Sequence, residues 1–160
     1  MTEAIVTSYW PRMLRAASGY ESNAALRDEL AQEMAFAVWR ALPNFDHHSA
    51  LNTYIYRIIH NVAVDHIRRA GRQLQTVTDD DENVFAHHHS PEQQVANAQH
   101  YSKLLLAVQK LPISLRQVML LKLEDLSNIE IGETLGRSES NVGVRLNRGK
   151  QILTQLMQQG

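Results

Sequence analysis

The side chains best suited to chemistry gather near the end of the chain. Ser140, Asn141, Val144, Arg145, Asn147, Arg148 and Lys150 put a hydroxyl, two amides, an exposed methyl pair and three cations within about three helical turns. An amide makes paired hydrogen bonds to an adenine edge, Val touches a thymine methyl, and Arg and Lys hold phosphates, so this set suits the major groove of DNA. It does not suit catalysis. The 160 residues include no Cys, which excludes a thiol nucleophile, a thiolate zinc site and a disulfide framework. Asp65 and His66 are adjacent in sequence with no nucleophile in reach, and no Gly-rich phosphate loop exists. His87, His88 and His89 are consecutive, so on a helix they splay by about 100° each and cannot converge on one ion. Neither enzyme activity, cofactor nor metal is expected.

A second constellation interleaves rings, cations and an amide: Tyr54, Tyr56, Arg57, Asn61, Arg68 and Arg69. Rings for stacking beside charges for phosphates are what single-stranded DNA requires, each stacked base contributing roughly 1–3 kcal/mol.

The elements that must carry these groups are helical. Leu26, Leu30, Met34 and Val38 recur four apart, with acidic and amide side chains on the other faces, and Pro43 ends that helix. Leu51, Ile55, Ile58, Ile59, Val62 and Ile67 predict a second helix that closes on Arg68 and Arg69, with Gly71 just beyond. An earlier helix over about 6–17 should pack on both, its start blurred by Pro11. Downstream, Ser90 and Pro91 can open a long helix over about 92–111, stopped by Pro112. Shorter helices are expected over 115–123, 128–135 and 139 to about 157, with Gly136 between the last two. Ser127 and Glu130 have capping-box spacing. That last pair of helices reads as a helix-turn-helix in which Val142, Leu146 and Gly149 face inward.

Net charge is −1, which by itself advertises no nucleic-acid partner. The distribution is more telling: residues 74–100 carry five acidic and no basic side chains, whereas the flanking segments are mildly basic. Asp79, Asp80, Asp81 and Glu82 therefore read as part of a tether. No apolar run is long enough to span a membrane, and the start lacks the pattern of a signal peptide, so a cytoplasmic protein without membrane insertion is expected.

Three stretches resemble the extracytoplasmic-function sigma factors of bacterial RNA polymerase. Residues 111–127 leading into the helix-turn-helix look like that family's carboxy-terminal module. Glu29-Leu30-Ala31-Gln32-Glu33 with Trp39-Arg40-Ala41-Leu42 is similar to its acidic helix, and residues 53–69 resemble its promoter-melting helix. The resemblance implies a non-catalytic initiation factor that binds core RNA polymerase and promoter DNA, with an anti-sigma factor as a candidate third partner. It implies that Asp28, Glu29, Leu30, Gln32 and Glu33 dock on the polymerase. It also implies that the loop around His47 and His48 cups a flipped base, where two imidazoles can make binding depend on pH near 6.5. Two departures stand out. Ala35 replaces a frequent aromatic, and Gly143 replaces a frequent Lys or Arg in the upstream-element reader, shifting readout to its neighbours.

The expected architecture is all-α: two small helical modules, 1–73 and 92–160, joined by an acidic flexible linker over 74–91. A DNA-binding regulator whose amino-terminal bundle dimerises or senses a ligand would share the helix-turn-helix, and only co-purification with core polymerase separates it from an initiation factor.

Overall fold

The computed structural model describes residues 1–74 and 96–159, and among them there are helices and turns but no strand. The acidic run Asp79 to Glu82, the histidines His87 to His89 and the expected cap at Ser90 and Pro91 lie outside the described residues.

Helices α1 (Thr2–Tyr20), α2 (Ala24–Ala41) and α3 (Leu51–Leu74) form the first unit. Asn23 caps α2, its side chain accepting from the Leu26 amide at 2.9 Å. The four-residue repeat then buries Leu30, Ala31, Met34 and Val38. A short 3-10 turn, Leu42–Asn44, follows where Pro43 cannot continue the α-helical ladder. Two expectations about punctuation are corrected. The start that Pro11 blurred lies well before it, at Thr2; the Pro11 ring is exposed, and the helix carries on to bury Met13, Ala16, Ala17 and Tyr20. Gly71 does not end α3, which runs on to Leu74. A glycine stop needs a left-handed residue, and Gly136 is the only described glycine with positive φ.

The second unit is α4 (Ala96–Gln109), α5 (Ile113–Leu123), α6 (Asn128–Leu135) and α7 (Glu139–Gln159). Helix α4 ends two residues before the expected Leu111, and α5 begins at Ile113 with Pro112 as its N-cap residue, two residues earlier than the periodicity suggested.

The units share one core. Leu30, Met34, Ile55, Ile59, Leu111, Val118, Leu121, Ile131 and Val142 belong to a single buried cluster, with α1 packed on α4 and α5 and α3 packed on α6. At Gly19 a Cβ would lie 2.5 Å from Leu120 Cδ2, so α1 sits directly on the Leu120 side chain and a larger residue there requires that side chain to move.

Inside this core α3 places His60, 2% exposed, whose Nδ1 shares a 2.6 Å hydrogen bond with the Tyr20 hydroxyl. Burial pushes the imidazole down to about 4. Protons therefore prefer the unfolded chain, so this group removes stability as pH falls from 6.5 and has removed all it can below about 4. Denaturant unfolding between those pH values should show the loss, at most about 1.4 kcal/mol per pH unit from this group, and His60→Gln should flatten the slope.

Candidate nucleic-acid interface

The helix-turn-helix is held by local devices that the sequence encodes directly. The Ser127 hydroxyl accepts from the Glu130 amide at 3.1 Å while the Glu130 carboxylate accepts from the Ser127 amide at 2.8 Å, completing the capping box that starts α6. Gly136 ends α6 in the left-handed region, φ 73°, where a Cβ would be strained. Ser138 then caps α7, accepting from the Asn141 amide at 3.0 Å.

Val142, Leu146 and Gly149 are buried, as the periodicity requires, and they fix the rotation of α7. Ser140, Asn147, Arg148 and Lys150 are consequently exposed, and Val144 stands 58% exposed between them. Gly143 and Asn141 are half-buried. Arg145 does not project as freely as expected: its Nε donates to Asn141 Oδ1 at 2.7 Å, so these two side chains are linked as a pair.

The second constellation divides. Tyr54 is half-buried, its hydroxyl donating to the Ala41 carbonyl at 3.0 Å and its ring 4.8 Å from Phe45. Phe45 in turn lies 4.4 Å from the exposed His47, whose φ of 65° is left-handed. The result is an aromatic ledge at the mouth of the loop before α3. His48 is pinned beside it, sharing its Nδ1 with Asp46 Oδ2 at 2.8 Å, and the amide and ring of His48 hold the exposed Asp46 carboxyl below its usual range. Tyr56 is elsewhere. It is 1% exposed, in the core, and its hydroxyl donates to Glu124 at 3.0 Å, so this ring presents no face to a base. Asn61, Arg68 and Arg69 are exposed on α3, Arg69 reaching Glu33 at 3.4 Å. Arg57 donates to the carbonyls of Glu133 at 2.7 Å and Thr134 at 3.4 Å, across the seam between the units.

On α2, Asp28, Glu29, Gln32 and Glu33 are exposed, whereas Leu30 is 1% exposed and supports that face from beneath. The same face continues through Phe36 and Trp39, 55% and 48% exposed and stacked with centroids 6.1 Å apart, with the Arg40 guanidinium over the Phe36 ring. Ala35 lacks the frequent aromatic, Trp39 belongs to the stretch that resembles the acidic helix, and Phe36 is a further member of this face that the resemblance did not include. The i,i+3 spacing of Phe36 and Trp39, in register with Glu29, Gln32 and Glu33, was the available signal.

Among the described residues, no group of His, Asp or Glu side chains could hold a metal ion, and no helix is long and apolar enough to cross a membrane.

The sequence pattern of Sigma-70 region 2 matches residues 5–73, and that of Sigma-70 region 4 matches residues 101–153. The chain belongs to the extracytoplasmic-function sigma factor family. Members of this family are transcription initiation factors rather than enzymes. Among curated relatives, the extracytoplasmic-function factor SigE of Mycolicibacterium smegmatis is 31% identical over 153 residues, covering 94% of this chain and 59% of that protein. SigW of Bacillus subtilis is 27% identical, covering 93% and 84%. Among solved structures, the sigma factor RpoE in complex with the anti-sigma factor NepR from Bartonella quintana superposes with TM-score 0.75 at 17% identity, covering 98% and 96%. CnrH in complex with the cytosolic domain of CnrY gives 0.70 at 20%, covering 98% and 87%. These structural likenesses establish the sigma-factor fold.

The exposure of α7 yields a contrast between two neighbouring residues. Asn147→Ala should relax preference at one base pair by about 1–3 kcal/mol, while Arg148→Ala should weaken all sequences about equally. Selection from a randomised duplex library, followed by titration of the winners, checks both.

Proposed function

We propose that this chain binds core RNA polymerase through the outer face of α2, reads a minus-thirty-five promoter element with α7, and engages the minus-ten element with the His47 loop and α3. It thereby directs transcription of a specific regulon from the cytoplasm. The observation that carries the reading is the arrangement of α7: four buried residues anchor it while Val144, Asn147, Arg148 and Lys150 all stand clear. An amide and a methyl pair flanked by cations is the composition that reads base edges while gripping phosphates.

The division into 1–73, 74–91 and 92–160 serves this function. Each flanking part carries one DNA-facing set, and the acidic segment between them, repelled by phosphates, suits a path away from the duplex. The Phe45, His47 and Tyr54 ledge offers stacking surface for one unpaired base beside the Asp46-pinned His48. On α2 the flat aromatic pair bordered by Glu29, Gln32 and Glu33 has the make-up of a protein-docking spot, apolar at its centre and charged at its rim. An anti-sigma factor is a fitting further partner, since the likeness to RpoE bound to NepR spans nearly the whole chain.

In vitro transcription with core polymerase across a promoter library tests the whole reading. Specific transcripts that depend on this chain are expected, together with stoichiometric co-purification with core. A DNA-binding regulator would protect duplex DNA without either. For the docking face, joint replacement Phe36→Ala and Trp39→Ala should weaken core binding by at least about 2 kcal/mol while barely changing the melting temperature, because both rings are already half in solvent. Reversing Glu29→Lys and Glu33→Lys should weaken the same complex without unfolding α2.

A further inference from the structure

Two asparagines on α7 look equivalent in the sequence but not in the structure. The buried Val142, Leu146, Gly149 and Leu153 set the inward direction of the helix. At about 100° per residue, Val144 and Asn147 fall on the far side from them, and both are exposed. Asn141 and Arg145, four positions apart, share one flank and are half-buried there. The Asn147 side chain has no partner among the described residues, so its amide keeps both donor and acceptor for another molecule.

Asn141 is already engaged. Its Oδ1 accepts from Arg145 Nε at 2.7 Å, and its backbone amide donates to Ser138 Oγ at 3.0 Å, which fixes it in the first turn of α7. A guanidinium has donors and no acceptor, so the amide has to turn its oxygen toward Arg145 and its nitrogen away. Reading adenine requires that oxygen and nitrogen lie side by side on one base edge. The acceptor of Asn141 is instead directed along its own helix. For Arg145 the same bond has the opposite effect. A long side chain that would otherwise sample many rotamers is tied at Nε, close to its charged end, so the plane of the guanidinium is set before any DNA arrives. It lies on the flank of the helix, and the flanks of a helix in the major groove face the phosphate backbones.

We propose that Asn141 is a positioning residue: it reads no base, and it holds Arg145 against a backbone phosphate of the upstream promoter element while Val144 and Asn147 do the reading. The proposal rests on the assignment of α7 to duplex DNA. It divides the helix by function, a central line for sequence and a flank for grip, and it removes Asn141 from the set of base readers. The bond spans a single turn within α7, so the arrangement travels with the helix. Loss of the Asn141 amide lets Arg145 spread over its rotamers, which weakens a phosphate contact on every sequence alike.

The full chain, assembled with core RNA polymerase, is titrated at several salt concentrations against the duplex recovered from the randomised library and against its single-base-pair variants. Asn141→Ala should weaken binding to all of them by one common factor of at least about three, and should flatten the slope of log affinity against log salt by about one, as loss of one phosphate contact requires. Arg145→Ala should do the same, and the double variant should bind within about two-fold of Arg145→Ala alone. Ala favours helix, so Asn141→Ala should keep the helical circular dichroism and melting temperature of the wild type. A shifted base preference in Asn141→Ala alone means that Asn141 reads a base, and the same shift in both variants means that Arg145 does; either overturns the proposal. So do effects that multiply in the double variant, which is how a merely structural loss at the start of α7 would behave. If Asn141→Ala and Arg145→Ala are inert while Asn147→Ala and Arg148→Ala act as expected, positioning alone fails. If all four leave duplex binding unchanged, the assignment of α7 to duplex DNA fails with it.

Discussion

Helix α3 buries Thr53, Tyr56 and His60, and the rest of the molecule is arranged around how the last two find partners. Tyr56 and His60 are one turn apart on its inner face and almost fully enclosed. A polar group left unpaired there would cost about 1–3 kcal/mol. The Tyr20 hydroxyl answers His60, and the Glu124 carboxylate answers Tyr56. These partners come from α1 and α5, so satisfying two hydrogen bonds also fixes the rotation of α3 against helices from both units. The buried Ile55, Ile59 and Ala63 supply apolar area, but area is indifferent to small rotations in a way that a hydrogen bond is not.

Once α3 is set, Arg57 falls against the end of α6, Asn61 and Arg68 line a cleft beside the second unit, and Arg69 reaches Glu33 of α2. The same economy of faces recurs on α2 and α7. In each, four buried residues determine orientation, and the exposed remainder, acidic and aromatic on α2 and basic and amide-bearing on α7, has the make-up that the proposed contacts require. A small chain can in this way offer several separate surfaces without any catalytic cavity.

What could be read from the sequence follows from the range of the forces involved. The helix-turn-helix was legible almost to the residue because Ser127, Glu130, Gly136 and Ser138 act within four positions of themselves. The four-residue repeat of α2 was legible for the same reason. Pro11 and Gly71 misled because the helix penalties they carry, about 3 and about 1 kcal/mol, were overridden by packing elsewhere along α1 and α3. The fate of Tyr56 and Arg57 was not legible at all. Their partners lie 68 and 76 or more positions away, and nothing local distinguishes a Tyr bound for a carboxylate in the core from one bound for a base. Phe36 and Trp39 belong between these cases, since their spacing puts them on one face but nothing local tells a solvent-facing aromatic from a core one.

The left-handed backbone of His47 has a consequence for how such a protein can diverge. A side chain at that φ is held at a cost of order 1–3 kcal/mol, which glycine would avoid. The ring that completes the ledge with Phe45 is thus kept against a standing pressure toward its own loss. Drift at position 47 toward glycine would yield a sturdier fold with a blunter loop, so robustness and discernment pull in opposite directions at this one residue.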